Sequence, residues 1–380
     1  MHKIPHYLCG AIPPHMMNHL ADQPAGRGAI ARLTIERMDA IAAERARALT
    51  GSPEAAAREA AIPRKQRNVY DAKHRFGLPG KLVRKEGDRR RRDIEVNEAY
   101  DGTGAMYDFH ARVFNRSSID GRGMRLDCTV HYGQGFANAV WTGEQIVFGD
   151  GDGEIFRRFT ASLDVIGHEW AHGFTQHTAA LDYSGETGAL NEHISDVVGI
   201  MLKQWMLGQS AGESDWLIGA GLFTPKVNAR GIRSMAAPGT AYDDPILGRD
   251  PQPAHMRDYV ETDEDNGGVH INSGIPNHAF YHAAIRIGGY PHEKLGRVWH
   301  LAVKERLDPD ADFRDMARAT VDIAGEQFGN GKGVQQAIAA GWSEVGIEVP
   351  LFAHRVFYSS PGNRRRGPAA SSLSPRRQCA

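Results

Sequence analysis

The chain has 380 residues, 41% hydrophobic and 24% charged, with a formal net charge of −1. This is the composition of an ordinary globular protein of two or so domains, and so balanced a charge gives no global field favouring nucleic acid or an anionic membrane as partner. The sparse cysteines Cys9, Cys128 and Cys379 make neither a disulfide framework nor a Cys-rich zinc site, so any zinc would have to be held by His and carboxylate. No run of about 18 apolar residues occurs, so no transmembrane helix is expected. Met1–His6 lacks the apolar segment of an ordinary signal peptide. A secreted or released protein therefore needs another export route, the alternative being a cytoplasmic one.

In chain order, Pro13-Pro14-His15-Met16-Met17 is a turn-forming cluster. Gly28 to Leu49 reads as an Ala/Arg-rich helix with apolar Ile30, Leu33, Ile35, Met38 and Ile41. Gly51-Ser52-Pro53 ends it, and residues 53–65, with Ala55-Ala56-Ala57-Arg58, read as an exposed linker. From Asn68 to about Gly153 short strand-like runs predominate: Asn68–Asp71, Thr129–Tyr132 and Gln145–Phe148, interrupted by one helix over roughly Ala99–Phe114. Asp150-Gly151-Asp152-Gly153-Glu154 lacks the Gly and the later bidentate Glu of a calcium loop and reads as a strand-to-loop turn. From Leu163 the pattern is mainly helical, with Gly/Pro-rich connections at 236–254. The tail from Ser359, with Arg364-Arg365-Arg366, is expected to be disordered. No internal repeat is visible.

The most informative stretch is His168-Glu169-Trp170-Ala171-His172. On a helix its two histidines lie one turn apart on one face and can share a zinc ion, with Glu169 within reach of a zinc-bound water. A second amphipathic helix over Leu190–Lys203 can bring Glu192 in as third ligand. Three protein ligands leave one position open, which makes the metal catalytic rather than structural. Asp196, one turn after Glu192, suits the spare ring N–H of one histidine, and Asn191 suits the other. The bland alternative is two surface histidines flanking a solvated glutamate.

These residues, together with Tyr183, Gly188-Ala189-x-Asn191-Glu192-x-x-Ser195-Asp196 and Asp265-Asn266-Gly267-Gly268-Val269-His270-Ile271-Asn272-Ser273-Gly274, resemble the thermolysin family of zinc metalloendopeptidases. The spacings agree: twenty positions from His172 to Glu192 and eleven from His172 to Tyr183. Asn138-Ala139-Val140-Trp141 and Arg233-Ser234-Met235 fit too, and the likeness, over about residues 66–350, is greatest to the protealysin-like subgroup with a short propeptide.

The resemblance implies an α+β fold of two lobes, β-rich then mainly α-helical, with the active-site cleft between them. It divides the chain into a propeptide (1–50), a linker with the maturation site (51–65), an N-terminal catalytic lobe with the zinc helix (66–180), a helical catalytic lobe (181–350) and a tail (351–380). One zinc ion is implied on His168, His172 and Glu192, with Glu169 as general base. His270, oriented by Asp265, and Tyr183 are implied as oxyanion donors. Asn138 and the Ala139 carbonyl are expected to align substrate backbone like an added strand, and Arg233 to grip the carbonyl just beyond the cut. Phe156, Phe159, Val165, Ile218, Leu222 and Ile232 are implied as walls of an apolar pocket, giving cleavage before Leu, Ile, Phe or Val; the alternative is that they are core. At the double calcium site of thermolysin, Asp164 and Asp215 match two carboxylates, but Lys203, Leu217 and Ala220 stand at other positions, so Lys203 is expected to replace calcium there.

The expected partners are protein or peptide substrates and the propeptide itself, an inhibitor of the cleft or a folding aid, with no nucleic acid, no membrane and a monomeric state. A disordered leader is the alternative for the first fifty residues, and Cys9 or His15 is a candidate cap for the zinc. Rival functions are a zinc aminopeptidase, for which no acidic amine-binding motif precedes His168, and a silent binding protein.

Overall fold

The computed structural model describes residues 9–51 and 64–351. The tail from Ser359, the Ala55–Arg58 stretch, Met1–His6 and most of the expected maturation region lie outside the described residues.

The N-terminal segment forms α1 (Pro14–Ala21) and α2 (Ala25–Gly51). The Pro-Pro cluster, read as a turn, starts a helix instead. Pro14 occupies the first helical position, where its missing N–H is needed by no one and its fixed φ is already helical. α1 buries Met16, Met17 and Leu20.

A five-stranded sheet follows, built from β1 (Arg67–Asp71), β2 (Lys81–Lys85), β3 (Leu126–Val130), β4 (Ala139–Trp141) and β5 (Ile146–Phe148). Its order is β2-β1-β3-β5-β4, with β1, β3 and β5 parallel and the two outer strands antiparallel to their neighbours. β2 and β4 were not legible in the pattern. β2 is an exposed, Lys-rich edge without alternation, and β4 is three buried residues, too short to alternate. The free edge of β4 is bridged antiparallel by Gly10. α3 (Ile94–Phe114) begins five residues before the apolar period suggests, because the Asp93 side chain caps it by accepting from the Val96 amide at 3.1 Å.

α4 (Leu163–Gln176) is buried continuously from Asp164 to Thr175, as a helix at the centre of a protein must be. It packs on α5 (Gly185–Leu207), which ends on the left-handed Gly208. The two helices approach backbone to backbone at Gly167 and Gly199. A Cβ on Gly199 would stand 2.4 Å from the Asp164 carbonyl oxygen, and one on Gly167 2.9 Å from the Gly199 Cα. That close crossing brings the histidine face of α4 against Glu192.

The second lobe adds the short pair β6 (Leu217–Ile218) and β7 (Arg233–Ser234), then β8 (Asp243–Asp244), β9 (Gly248–Arg249), α6 (Asp265–Asn272), α7 (Gly274–Ile287), α8 (Leu295–Glu305), α9 (Phe313–Phe328) and α10 (Val334–Glu344). One apolar core runs from Met16 and Met17 of α1 through Trp170 to Trp299 and Trp342, so the N-terminal segment shares the core of the lobes.

Candidate active site

α4 turns His168 and His172 toward α5 with their Nε2 atoms 3.1 Å apart. Glu192 Oε2 lies 3.4 Å from His168 Nε2, and Glu192 Oε1 3.6 Å from His172 Nε2. The outer nitrogens are fixed from α5: His168 Nδ1 bonds Asp196 Oδ1 at 2.9 Å, and His172 Nδ1 bonds Asn191 Oδ1 at 2.9 Å. Because both of those partners are acceptors, each ring donates from Nδ1 and can turn an Nε2 lone pair inward. The separations are close to the edge, about 3.3 Å, of a tetrahedron with zinc–ligand bonds of about 2.0–2.1 Å. Among the protein groups alone, burial would lower the His168 pKa, but Asp196 and Glu192 carry it up to about 9, while burial lowers His172 to about 4. The residues fit zinc.

Glu169 follows His168. Its Oε2 accepts from the Trp141 amide at 2.6 Å, while Oε1 is buried with no hydrogen-bond partner. Burial pushes this carboxyl up to about 8. A carboxylate with one oxygen anchored and the other free is arranged to take a proton.

The far wall comes from α6, which opens with a left-handed run at Asp265, Asn266, Gly267 and Gly268 (φ 52°, 52°, 87° and 73°). Glycine is at ease in that conformation, and the run folds Asp265 back onto His270. Asp265 Oδ1 bonds His270 Nδ1 at 2.7 Å and Oδ2 accepts the His270 amide at 2.8 Å. Burial works against a charged His270, yet Asp265 and Glu192 raise its pKa above the ordinary value. His270 Nε2 then lies 3.4 Å from Glu192 Oε2, and the Tyr183 hydroxyl donates to Glu192 Oε1.

The N-terminal segment enters this site. The Cys9 thiol donates to Glu192 Oε1 at 2.9 Å and lies 3.4 Å from His270 Nε2. The ligand atoms of Cys9, His168, His172 and Glu192 all lie within 4.8 Å of one another. Ala11 donates its amide to the Ala139 carbonyl at 3.0 Å, and Ile12 donates to Asn138 Oδ1 at 2.9 Å. Arg233 Nη1 donates to the Ala11 carbonyl at 3.3 Å. The three residues expected to hold substrate backbone thus hold this segment. His15 reaches Tyr242 rather than His168, His172 or Glu192, Nε2 to hydroxyl at 2.9 Å.

Phe156, Phe159, Val165, Ile218, Leu222 and Ile232 are all buried in the main core. Phe156 also lines a small cavity with Met17 and Leu20 of the N-terminal segment. Lys203 Nζ donates to Asp215 Oδ1 and Oδ2 at 2.8 and 3.0 Å and to the Leu217 carbonyl at 3.0 Å, and lies 3.4 Å from Asp164 Oδ2. Asp152 Oδ1 accepts the amides of Glu154, Ile155 and Phe156, so residues 150–154 form a turn closed on Asp152.

Sequence reasoning gave Trp141 no role and passed over Gln252 and Asn277. The Gln252 amide holds the His270 carbonyl at 2.8 Å, and Asn277 Nδ2 donates to Asp196 Oδ2 at 2.8 Å. Neither follows from local spacing. The Trp141 contact is through backbone, which no side-chain motif announces.

Two histidines and a glutamate converging between a sheet-bearing lobe and a helical one, beside a free buried glutamate, define a metallopeptidase centre. The family description "Thermolysin metallopeptidase, catalytic domain" matches residues 57–176, and "Thermolysin metallopeptidase, alpha-helical domain" matches residues 179–347. The chain belongs to the thermolysin metallopeptidase family, whose members are peptide-bond hydrolases. It is 52% identical to an extracellular metalloprotease of Pectobacterium carotovorum subsp. carotovorum over 284 residues, 74% of this chain and 81% of that one. It is 49% identical to protease PrtS of a Photorhabdus strain over 286 residues, 74% and 76% of the two chains. Among solved structures, the precursor of protealysin, a metalloproteinase from Serratia proteamaculans, superposes with a TM-score of 0.80 at 45% identity, covering 89% of this chain and 99% of that one.

Proposed function

We propose that the chain is a zinc-dependent neutral endopeptidase made as a zymogen. The observation that carries this is the convergence of His168 Nε2, His172 Nε2 and the Glu192 carboxylate within 3.1–3.6 Å, beside Glu169 with its free oxygen. His168, His172 and Glu192 would hold the metal, joined by Cys9 in the latent form. Zinc supplies Lewis acidity there, polarising the peptide carbonyl and making water acidic near neutral pH. Glu169 takes the proton of the attacking water and hands it to the leaving amine. His270, aimed by Asp265 with its charged form favoured by Asp265 and Glu192, and Tyr183 donate to the oxyanion. Asn138 and Ala139 hold the substrate backbone as an added strand, and Arg233 holds the carbonyl after the cut.

The apolar side chains from Phe156 to Ile232 form the pocket for the residue after the scissile bond and select Leu, Ile, Phe or Val. A peptide library cut mainly before Asp or Lys would sink that assignment. Residues 1–50 act as intramolecular inhibitor, supported by the seating of Cys9 to Ile12 in the cleft, and maturation removes them within the 51–65 linker ahead of lobes 66–180 and 181–350. The Lys203 ammonium between Asp215 and Asp164 stands in for calcium. The name of an extracellular relative supports release from the cell; a monomeric state is part of the same reading.

The test is a quenched-peptide assay on matured protein with chelator and zinc add-back. Internal cleavage that zinc restores supports this reading. Release of amino acids alone supports an aminopeptidase, and no hydrolysis at all a silent binding protein.

A further inference from the structure

The stretch from Gly10 to Ile12 lies along β4 in a defined direction and register. Gly10 bridges Val140 antiparallel. Ala11 gives its amide to the Ala139 carbonyl at 3.0 Å and receives the Arg233 guanidinium on its own carbonyl at 3.3 Å. Ile12 gives its amide to Asn138 Oδ1 at 2.9 Å and receives Asn138 Nδ2 on its carbonyl at 3.4 Å. If Arg233 holds the carbonyl of the residue just after the cut, the residue so held is Ala11, smaller than the side chains the pocket selects, and the bond before it is Gly10–Ala11, a slow rather than a forbidden site. We propose that this bond occupies the scissile position, so that the inhibitory segment is a substrate bound in the productive direction, and that the Cys9 thiol keeps it from being cut. The proposal rests on the endopeptidase reading above.

Two further observations support it. Cys9 Sγ lies 3.8 Å from the Gly10 carbonyl oxygen while donating to Glu192, so the thiol and the carbonyl to be attacked share one small space among the metal-binding side chains. Seated there, the thiol takes the place that water needs. Gly10 is also shaped for a close pass. A Cβ on it would stand 2.6 Å from Asn138 Nδ2 and 2.9 Å from Met38 Cε, so only glycine lets the backbone sit this deep. With the thiol gone, water adds at the Gly10 carbonyl carbon, the Gly10–Ala11 C–N bond breaks, and Glu169 carries the water's proton to the departing Ala11 amine. Gly10 leaves as a carboxylate, and no other reactant is needed.

The test uses the full chain with zinc. Cys9→Ala and Cys9→Ser are each expected to lose residues 1–10 and show a new N-terminus at Ala11 by intact-mass analysis, while the parent chain keeps that bond and Cys9→Ala with Glu169→Ala stays whole. A Cys9→Ala chain that hydrolyses a quenched peptide yet leaves Gly10–Ala11 intact overturns the register and leaves the endopeptidase reading standing. A chain that does neither overturns both. A readout independent of turnover is amide exchange in the chelated full chain. The Ala11 and Ile12 amides should be protected, with Ile12 protection lost in Asn138→Ala; free exchange at both in the parent overturns the proposal.

Discussion

Arg233 and Asp196 form a buried two-bond ion pair, Nε to Oδ2 at 2.8 Å and Nη2 to Oδ1 at 2.7 Å. The same carboxylate holds the outer nitrogen of His168 and the amide of Asn277, so one group couples the His168 ring to the arginine that holds the Ala11 carbonyl. Asp196→Asn leaves the Arg233 charge buried without compensation, a loss of about 3–5 kcal/mol. It also frees the His168 ring, which should weaken zinc binding by about 10- to 100-fold. Thermal unfolding and competition with a zinc chelator measure the two effects. Near-parental values in both would show that Asp196 does not couple them.

A second prediction concerns the helix crossing. Gly199→Ala places a methyl 2.4 Å from the Asp164 carbonyl oxygen, a backbone atom that cannot swing aside. α4 and α5 must part, at a cost of about 1–3 kcal/mol, and Glu192 moves away from the histidines. Gly212→Ala, with nothing within 4 Å of its added carbon, should leave both stability and zinc affinity unchanged. Equal behaviour of the two variants would contradict this account of how the donors are brought together.

What was legible in the sequence follows from how each contact is made. His168 and His172 lie one turn apart, and so do Glu192 and Asp196, so helical period alone places each pair on one face, while Glu169 follows directly after His168 and turns toward β4. His270 was picked out only through the resemblance carried by Asp265–Gly274; the left-handed Asn266-Gly267-Gly268 start of α6 that folds Asp265 onto it was not read from the sequence. Contacts over long separations were less legible: Cys9 was only one of two candidate caps for the site although its bond to Glu192 joins residues 183 apart, and the Asn277–Asp196 contact, 81 residues apart, was not read at all, since only topology brings such residues together. Helix starts were set by capping and by the Pro14 position rather than by apolar period, which is why α1 was missed and α3 was read short.

The Lys203 cluster predicts a stability independent of calcium. Lys203→Met removes the one charge partner found within 4 Å of the buried Asp164 carboxylate among the described residues, and a donor to the Leu217 carbonyl, which should cost about 1–3 kcal/mol. Added calcium should not restore the loss, because two carboxylates fall short of a cage of six to eight oxygens. Unfolding temperatures with and without millimolar calcium check this. Full rescue by calcium would mean that the ion, not the ammonium, belongs there.

Acid should loosen the N-terminal segment through His15. In the docked chain burial, then the nearby positive His270 and Arg233, lower its pKa to about 4, against the opposing Asp265. Its Nε2 is engaged by Tyr242, and Nδ1 is buried without a partner for an added proton. The sign follows from the two pKa values. Free His15 takes up a proton below about 6.5, whereas docked His15 does so only near 4, so the neutral docked form is fully favoured above about 6.5. Its contribution fades as pH falls from 6.5 to about 4, by at most about tenfold in affinity per pH unit. In a chain cut within the 51–65 linker, the segment should therefore co-elute with the body at pH 7.5 and separate on gel filtration near pH 4.5. His15→Phe, which cannot take up a proton, should flatten that dependence. The same release profile in His15→Phe would assign the acid response to another group.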